Sequence, residues 1–160
     1  MSVQKKQLSQ CVFAPKSLID ETLLTPASPG KRLLEPLKTF AAANGLPFNL
    51  LEDMEISNEA EAHRHGGDLW YCIEGEVTFV YGGKMVAPWA KNLPDGGTDD
   101  REIKAKEISE GTEVIMRSGD WLWIPAGQPH LHKTNGTARL VIVKIPAETV
   151  PLDAVPGWTN

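Results

Sequence analysis

From Pro47 onward the chain reads as short runs of alternating apolar and polar residues broken by glycine. Val77, Phe79 and Tyr81 alternate with Thr78 and Val80, the period-two signature of a strand with one face buried. Runs of the same kind predict strands over residues 48–56, 69–73, 77–81, 105–108, 112–117, 121–124, 129–133 and 137–145. Glu74-Gly75 reads as a tight turn, and Gly82, Gly111, Gly119, Gly127 and Gly136 punctuate the rest. Ser57 to Glu61 reads as a polar connection, and residues 88–104 as a polar loop long enough to be a lid. Many short strands at regular spacing, with almost no helix, predict a β-sandwich or barrel.

Before Pro47 the pattern is different. Leu33, Leu37, Phe40 and Ala41 recur at helical spacing, so one short amphipathic helix is expected over 33–44. Pro36 suits its first turn and Gly45 its end. Residues 1–30 carry Pro15, Pro26 and Pro29 with weak periodicity and read as a lead-in arm. The expected division is residues 1–46 as arm and helix, 47–146 as barrel and 147–160 as tail.

Composition narrows the class of partner. The 160 residues are 41% hydrophobic with a formal net charge of −5, enough for one domain with a full core. An acidic balance without a basic patch argues against nucleic acid and against an anionic membrane surface. Cys11 and Cys72 are far apart and predict no disulfide framework. The polar N-terminus has too short an apolar run for a signal peptide, and no stretch approaches a membrane span. A cytoplasmic protein is the expectation.

The candidate chemistry lies in the four histidines, which fall into two pairs of equal spacing. His63 and His65 precede an apolar run, and in a strand such i, i+2 residues point to one face, an arrangement suited to one metal ion. His130 and His132 repeat the spacing after a second turn built from Pro125 and Gly127. Imidazole suits Zn, Fe, Ni and Cu alike. His132 would share a face with His130, as a fourth ligand, a general acid/base or a pocket wall. Tyr71, Trp121 and Trp123 read as core or pocket lining.

These segments resemble the cupin family. Its first motif is an HxH, then a glutamate, six residues and a glycine, and His63, His65 and Gly75 match it. Its second is a glycine, five residues, PxG, two residues, a histidine and a later asparagine. Gly119, Pro125, Gly127 and His130 match that spacing, and Asn135 lies one place late. The likeness spans residues 49–145. Asp68 stands where the family has glutamate, and the interval after His65 is short. Strict alternation would turn Asp68 away from His65, so a bulge at Gly66-Gly67 is expected to bring it back.

The resemblance implies an all-β fold, a double-stranded β-helix or jelly roll with a short N-terminal helical segment. It also implies one divalent metal ion (Fe, Mn, Ni or Zn) held inside the barrel by His63, His65, Asp68 and His130. Tyr71, Trp121 and Trp123 would line a substrate pocket, and His132 would be the catalytic proton carrier. Such a protein is expected to be a metal-dependent enzyme on a small organic molecule, of dioxygenase, isomerase or lyase type. The alternative is a non-catalytic cupin that senses or binds a small ligand. Homodimers are common in the family, and the arm and helix offer apolar surface for such a contact.

Overall fold

The computed structural model describes residues 9–159. In chain order it contains α1 (Lys16–Leu23), β1 (Gly30–Leu33), α2 (Leu37–Asn44), β2 (Phe48–Met54), β3 (Ala60–His63), β4 (Gly66–Glu74) and β5 (Glu76–Tyr81). Then follow β6 (Lys84–Met85), β7 (Trp89–Asn92), β8 (Thr98–Ala105), β9 (Ile108–Ser109), β10 (Thr112–Arg117), β11 (Trp121–Ile124), β12 (His130–Lys133) and β13 (Thr137–Pro146). A five-stranded sheet, β1-β2-β13-β4-β11, faces a six-stranded one, β10-β5-β12-β3-β8-β7, and β6 pairs with β9. Every pairing is antiparallel.

Alternation decides what lies between the sheets. Leu51, Trp70, Cys72, Leu140 and Ile142 from one sheet meet Val77, Phe79 and Met116 from the other. Trp70 and Phe79 anchor this layer with ring centroids 5.3 Å apart at a tilted angle favourable to aromatic pairs. The intervening residues of β4 and β13, Ile73 and Val141, turn outward and are covered by Leu34, Leu37 and Leu50, with Leu18, Ile19, Leu23 and Phe40 packed alongside.

The N-terminal segment is therefore part of the sheet. Leu33 ends β1, paired with Leu51, and the helix starts only at Leu37 because Pro36 has no N–H to give and restricts the residue before it. Gly45 ends α2 in the left-handed conformation (φ 62°), donating its N–H to the Ala41 carbonyl. The predicted lead-in contains α1, an eight-residue helix whose stability comes from the Leu18, Ile19 and Leu23 face rather than from propensity. Because these helices bury their apolar faces against their own sheet, much of the surface expected to pair with a second chain is already used. Phe13 and Leu24 remain exposed.

The predicted polar loop at 88–104 is mostly the β7–β8 hairpin at the edge of the six-stranded sheet. Asp100 and Arg101 face solvent, Glu102 and Lys104 are half-buried on the barrel side with Lys91 donating to Glu102 at 2.9 Å, and Ile103 and Ala105 are buried on the other face. Charged edge strands are how sheets avoid stray pairing, and they blur the hydrophobic alternation. The tail closes the outer face of the same sheet. Val155 packs with Ala60, Ala62, Met85 and Ile103. That contact holds the alanines of β3 outward and leaves their neighbours, Glu61 and His63, pointing into the barrel. No helix among the described residues is long and apolar enough to cross a membrane.

Candidate metal centre

Four polar side chains meet inside the barrel beyond the aromatic layer. Glu61 and His63 share a face of β3, His130 opens β12 beside them, and Asp68 enters from β4 of the facing sheet. The His63 Nε2 lies 3.4 Å from Asp68 Oδ2 and 3.6 Å from Glu61 Oε1, and the His130 Nε2 lies 3.6 Å from each of the same oxygens. The donor atoms of Glu61, His63 and His130 all lie within 4.8 Å of one another, a group that could hold a metal ion.

Three of these buried atoms, His63 Nε2, His130 Nε2 and Asp68 Oδ2, have no hydrogen-bond partner. Buried polar atoms are rarely left so, and three orphans aimed at one point fit a cation between them. The spacing agrees. Four donors each about 2.1 Å from a tetrahedral ion stand about 3.4 Å apart, close to the 3.4–3.6 Å found here.

Surrounding groups hold each donor in place. Lys104 Nζ binds the other oxygen of Glu61 at 2.7 Å, and Lys144 Nζ binds the other oxygen of Asp68 at 2.8 Å. Each carboxylate therefore turns one free oxygen to the centre. The His130 Nδ1–H donates to the Gln128 carbonyl at 3.1 Å, so its Nε2 presents a lone pair inward. The Gly127 N–H donates to the His63 carbonyl at 2.7 Å, which joins the second motif's turn to the end of β3.

Electrostatics follow from this packing. Burial would lower the His63 pKa, but contact with Asp68 and Glu61 outweighs it and raises the value to about 9. His130 is raised by the same two carboxylates against the same burial. Burial pushes Asp68 and Glu61 up, yet the two imidazoles hold both well below the usual carboxylate range, helped by Lys144 at Asp68 and Lys31 at Glu61.

A pH dependence of the metal-free protein follows. Since the folded pKa of His63 lies above its unfolded value of about 6.5, these contacts stabilise the fold fully below that pH. The contribution is lost as pH rises through about 9. In the metal-free protein the His63 ring protons, followed by NMR, should titrate near pH 9. With metal bound the same signals should not titrate there, because the ligand form is neutral. Titration near 6.5 without metal would mean that the carboxylates do not reach the ring.

Of the residues singled out from sequence, the structure brings together His63, Asp68 and His130. His65 stands apart. β3 ends at His63, the chain turns, and His65 is exposed at the rim while its carbonyl accepts from the Ala147 N–H. Counting from His63 instead lengthens the interval to Asp68 by two residues and removes the shortfall. No bulge is needed at Gly66-Gly67, where β4 pairs regularly with β13 and Asp68 shares the inner face with Trp70 and Cys72. Gly67 answers a different demand, since a Cβ there would lie 2.8 Å from the Ile124 carbonyl oxygen and 2.4 Å from the Trp123 ring.

His132 lies deeper than His130, away from the cluster. Its Nδ1–H donates to Asp53 Oδ2 at 2.6 Å, and its Nε2 accepts from Asn58 Nδ2 at 2.9 Å. The ring stacks on Phe79 with centroids 5.0 Å apart. Both nitrogens are engaged, so His132 ties the two sheets together, and no free nitrogen is left to carry a substrate's proton. Tyr71, Trp121 and Trp123 do not line the interior. β11 pairs with β4 so that Trp121 lies opposite Tyr71 on the outer face, where Trp121 is 62% and Trp123 48% exposed. Their strand neighbours Leu122 and Ile124 pack inward.

Glu61 is the candidate ligand that sequence reasoning missed. Its signal was present, because Glu61-x-His63 has the spacing of His63-x-His65, but it fell in a segment read as a connection.

No family model and no curated protein matches the chain. Among solved structures, hydroxypropylphosphonic acid epoxidase from S. wedmorenis is 15% identical over 65% of this chain and 45% of its own, with a TM-score of 0.43. An iron(II) form of HppE is 14% identical over 61% of this chain and 42% of its own, with a TM-score of 0.42. The Clostridium difficile EutQ protein is 17% identical over 62% and 56%, with a TM-score of 0.39. The Drosophila melanogaster CENP-C cupin domain is 9% identical over 61% and 59%, with a TM-score of 0.41. The chain thus spans less than two thirds of the length of each. Two facing antiparallel sheets, linked through the Gly119–Pro125–Gly127–His130 segment and carrying histidines and carboxylates paired inside, give this chain a cupin fold.

Proposed function

We propose that the chain is a metal-dependent enzyme acting on a small organic molecule inside the barrel, with one divalent ion held by Glu61, His63, Asp68 and His130. The observation that carries this reading is the convergence of three orphaned buried donor atoms with Glu61. Two imidazoles and two carboxylates form a mixed N/O set whose negative charge balances a dication, suited to Fe, Mn, Ni or Zn rather than to a soft monovalent ion. A bound ion supplies Lewis acidity at a point that substrate can reach.

The chain's own residues do the rest. Lys104 and Lys144 orient the carboxylates, and Gln128 sets the His130 tautomer. Trp70, Leu51 and Ile142 give the site an apolar wall. The site is not closed, for His63 keeps 23% of its side chain exposed and borders a cavity of about 400 Å³ shared with His65, Asp68 and Glu102. Such a volume suits a small molecule.

Stripping the protein with chelator and restoring Fe, Mn, Ni or Zn separately is the test. One ion per chain should bind, and at a free concentration of about 100 times its Kd it should stabilise the fold by about 2.7 kcal/mol, read as a rise in melting temperature. Turnover of a small organic substrate should vanish on chelation and return with the metal. Absence of stoichiometric binding by elemental analysis would sink the metal reading. Metal-dependent binding of a small molecule that is recovered unchanged would favour the sensing protein instead.

A further inference from the structure

A second cavity, of about 360 Å³, lies against the same centre on the β1 side and is reached past Lys31. Its walls are Leu33, Leu51, Trp70 and Ile142, and Glu61 and Lys144 join it to the metal cluster. We propose that this cavity binds a small organic anion, an apolar body carrying one carboxylate, seated between Lys31, Lys144 and the Trp70 indole. The role of that anion as substrate rests on the metal-dependent reading above, and the test separates the two.

The polar groups of the cavity are almost all donors. Trp70 is 2% exposed, yet its Nε1–H has no acceptor. An indole can only donate, so an oxygen or other acceptor is what would satisfy it. Lys31 is exposed, and among the described residues no carboxylate lies within ion-pair distance of it. Arg32, also on the lining, is committed to Glu52 and to the Pro26 carbonyl. Lys144 binds Asp68 with one donor and has two more on an ammonium whose side chain is 58% exposed. The one carboxylate on the lining, Glu61, turns an oxygen to the metal centre and gives the other to Lys104. Two ammonium groups around apolar walls that include the Trp70 indole select an anion with an apolar body and disfavour a neutral or cationic ligand of the same shape.

Benzoate and its neutral analogue benzamide are suitable probes, titrated calorimetrically into zinc-loaded and metal-stripped protein. Benzoate should bind at least about tenfold more tightly than benzamide, as expected for a charge-assisted contact. Lys31→Met should remove most of that preference and Lys31→Arg should keep it. The indole N–H signal of Trp70, assigned by its loss in Trp70→Phe, should shift as benzoate saturates. Equal affinities, a preference untouched by Lys31→Met, or an unmoved Trp70 signal would each overturn the proposal. If zinc does not bind while the stripped protein still shows the Lys31-dependent preference, the metal reading falls and the anion cavity stands. If zinc binds one per chain without that preference, the anion cavity falls alone.

Discussion

His63→Ala should lower the affinity for a divalent ion by on the order of 100-fold or more, whereas His65→Ala should leave it unchanged. The two residues are equivalent in spacing but not in place. His63 projects into the barrel from the last position of β3, with an unpartnered Nε2 between Glu61 and Asp68. His65 lies beyond the strand end and faces solvent. Glu61→Gln should also weaken binding, because it removes the negative charge and leaves Lys104 with Glu102 as its remaining carboxylate. Competition against a chromophoric chelator gives all three numbers. A loss at His65 matching that at His63 would show that the turn at 64–65 rearranges on binding and that the paired histidines themselves are the ligands.

The largest effect on stability is expected at Arg139. Glu52 is fully buried in the five-stranded sheet and accepts from Arg139 Nε at 2.8 Å, Arg32 Nε at 3.1 Å and the Ser28 N–H at 3.0 Å. The remaining donors of Arg139 hold the Leu23 and Thr25 carbonyls at the end of α1. One guanidinium thus fastens the N-terminal segment to the barrel. Arg139→Leu would leave a buried carboxylate short of a partner and two carbonyls unpaired, a loss of about 3–5 kcal/mol. For a chain of this size that lowers the melting temperature by on the order of 10 °C. The double change Arg139→Leu with Glu52→Leu should be milder than Arg139→Leu alone, because no fully buried charge is left uncompensated and Arg32, which loses Glu52, keeps 35% of its side chain in solvent. Calorimetric melting of the single and double variants checks both statements, and a shift of only a degree or two for Arg139→Leu would refute the first.

Much of the architecture was legible along the chain because its causes are local. Alternation at Val77 and Phe79 marks a strand with one buried face. Gly45 supplies the left-handed turn that ends α2, and Gly119, Pro125 and Gly127 set the turn that presents His130. Those signals depend on neighbours within a few residues, and they led to two facing sheets with a candidate metal site between them. What the chain could not reveal is which faces meet, since that depends on strand registers set between distant segments. Glu61 became a site residue only because the tail, nearly a hundred residues later, covers Ala60 and Ala62 and turns the other side of β3 inward. Trp121 and Trp123 look like core in sequence, yet the pairing of β11 with β4 puts Leu122 and Ile124 inside and both tryptophans out. His132 repeats the spacing of His130, but a strand rises about 3.3 Å per residue. Two residues further along β12, its ring meets Asp53 and Phe79 instead of the metal centre.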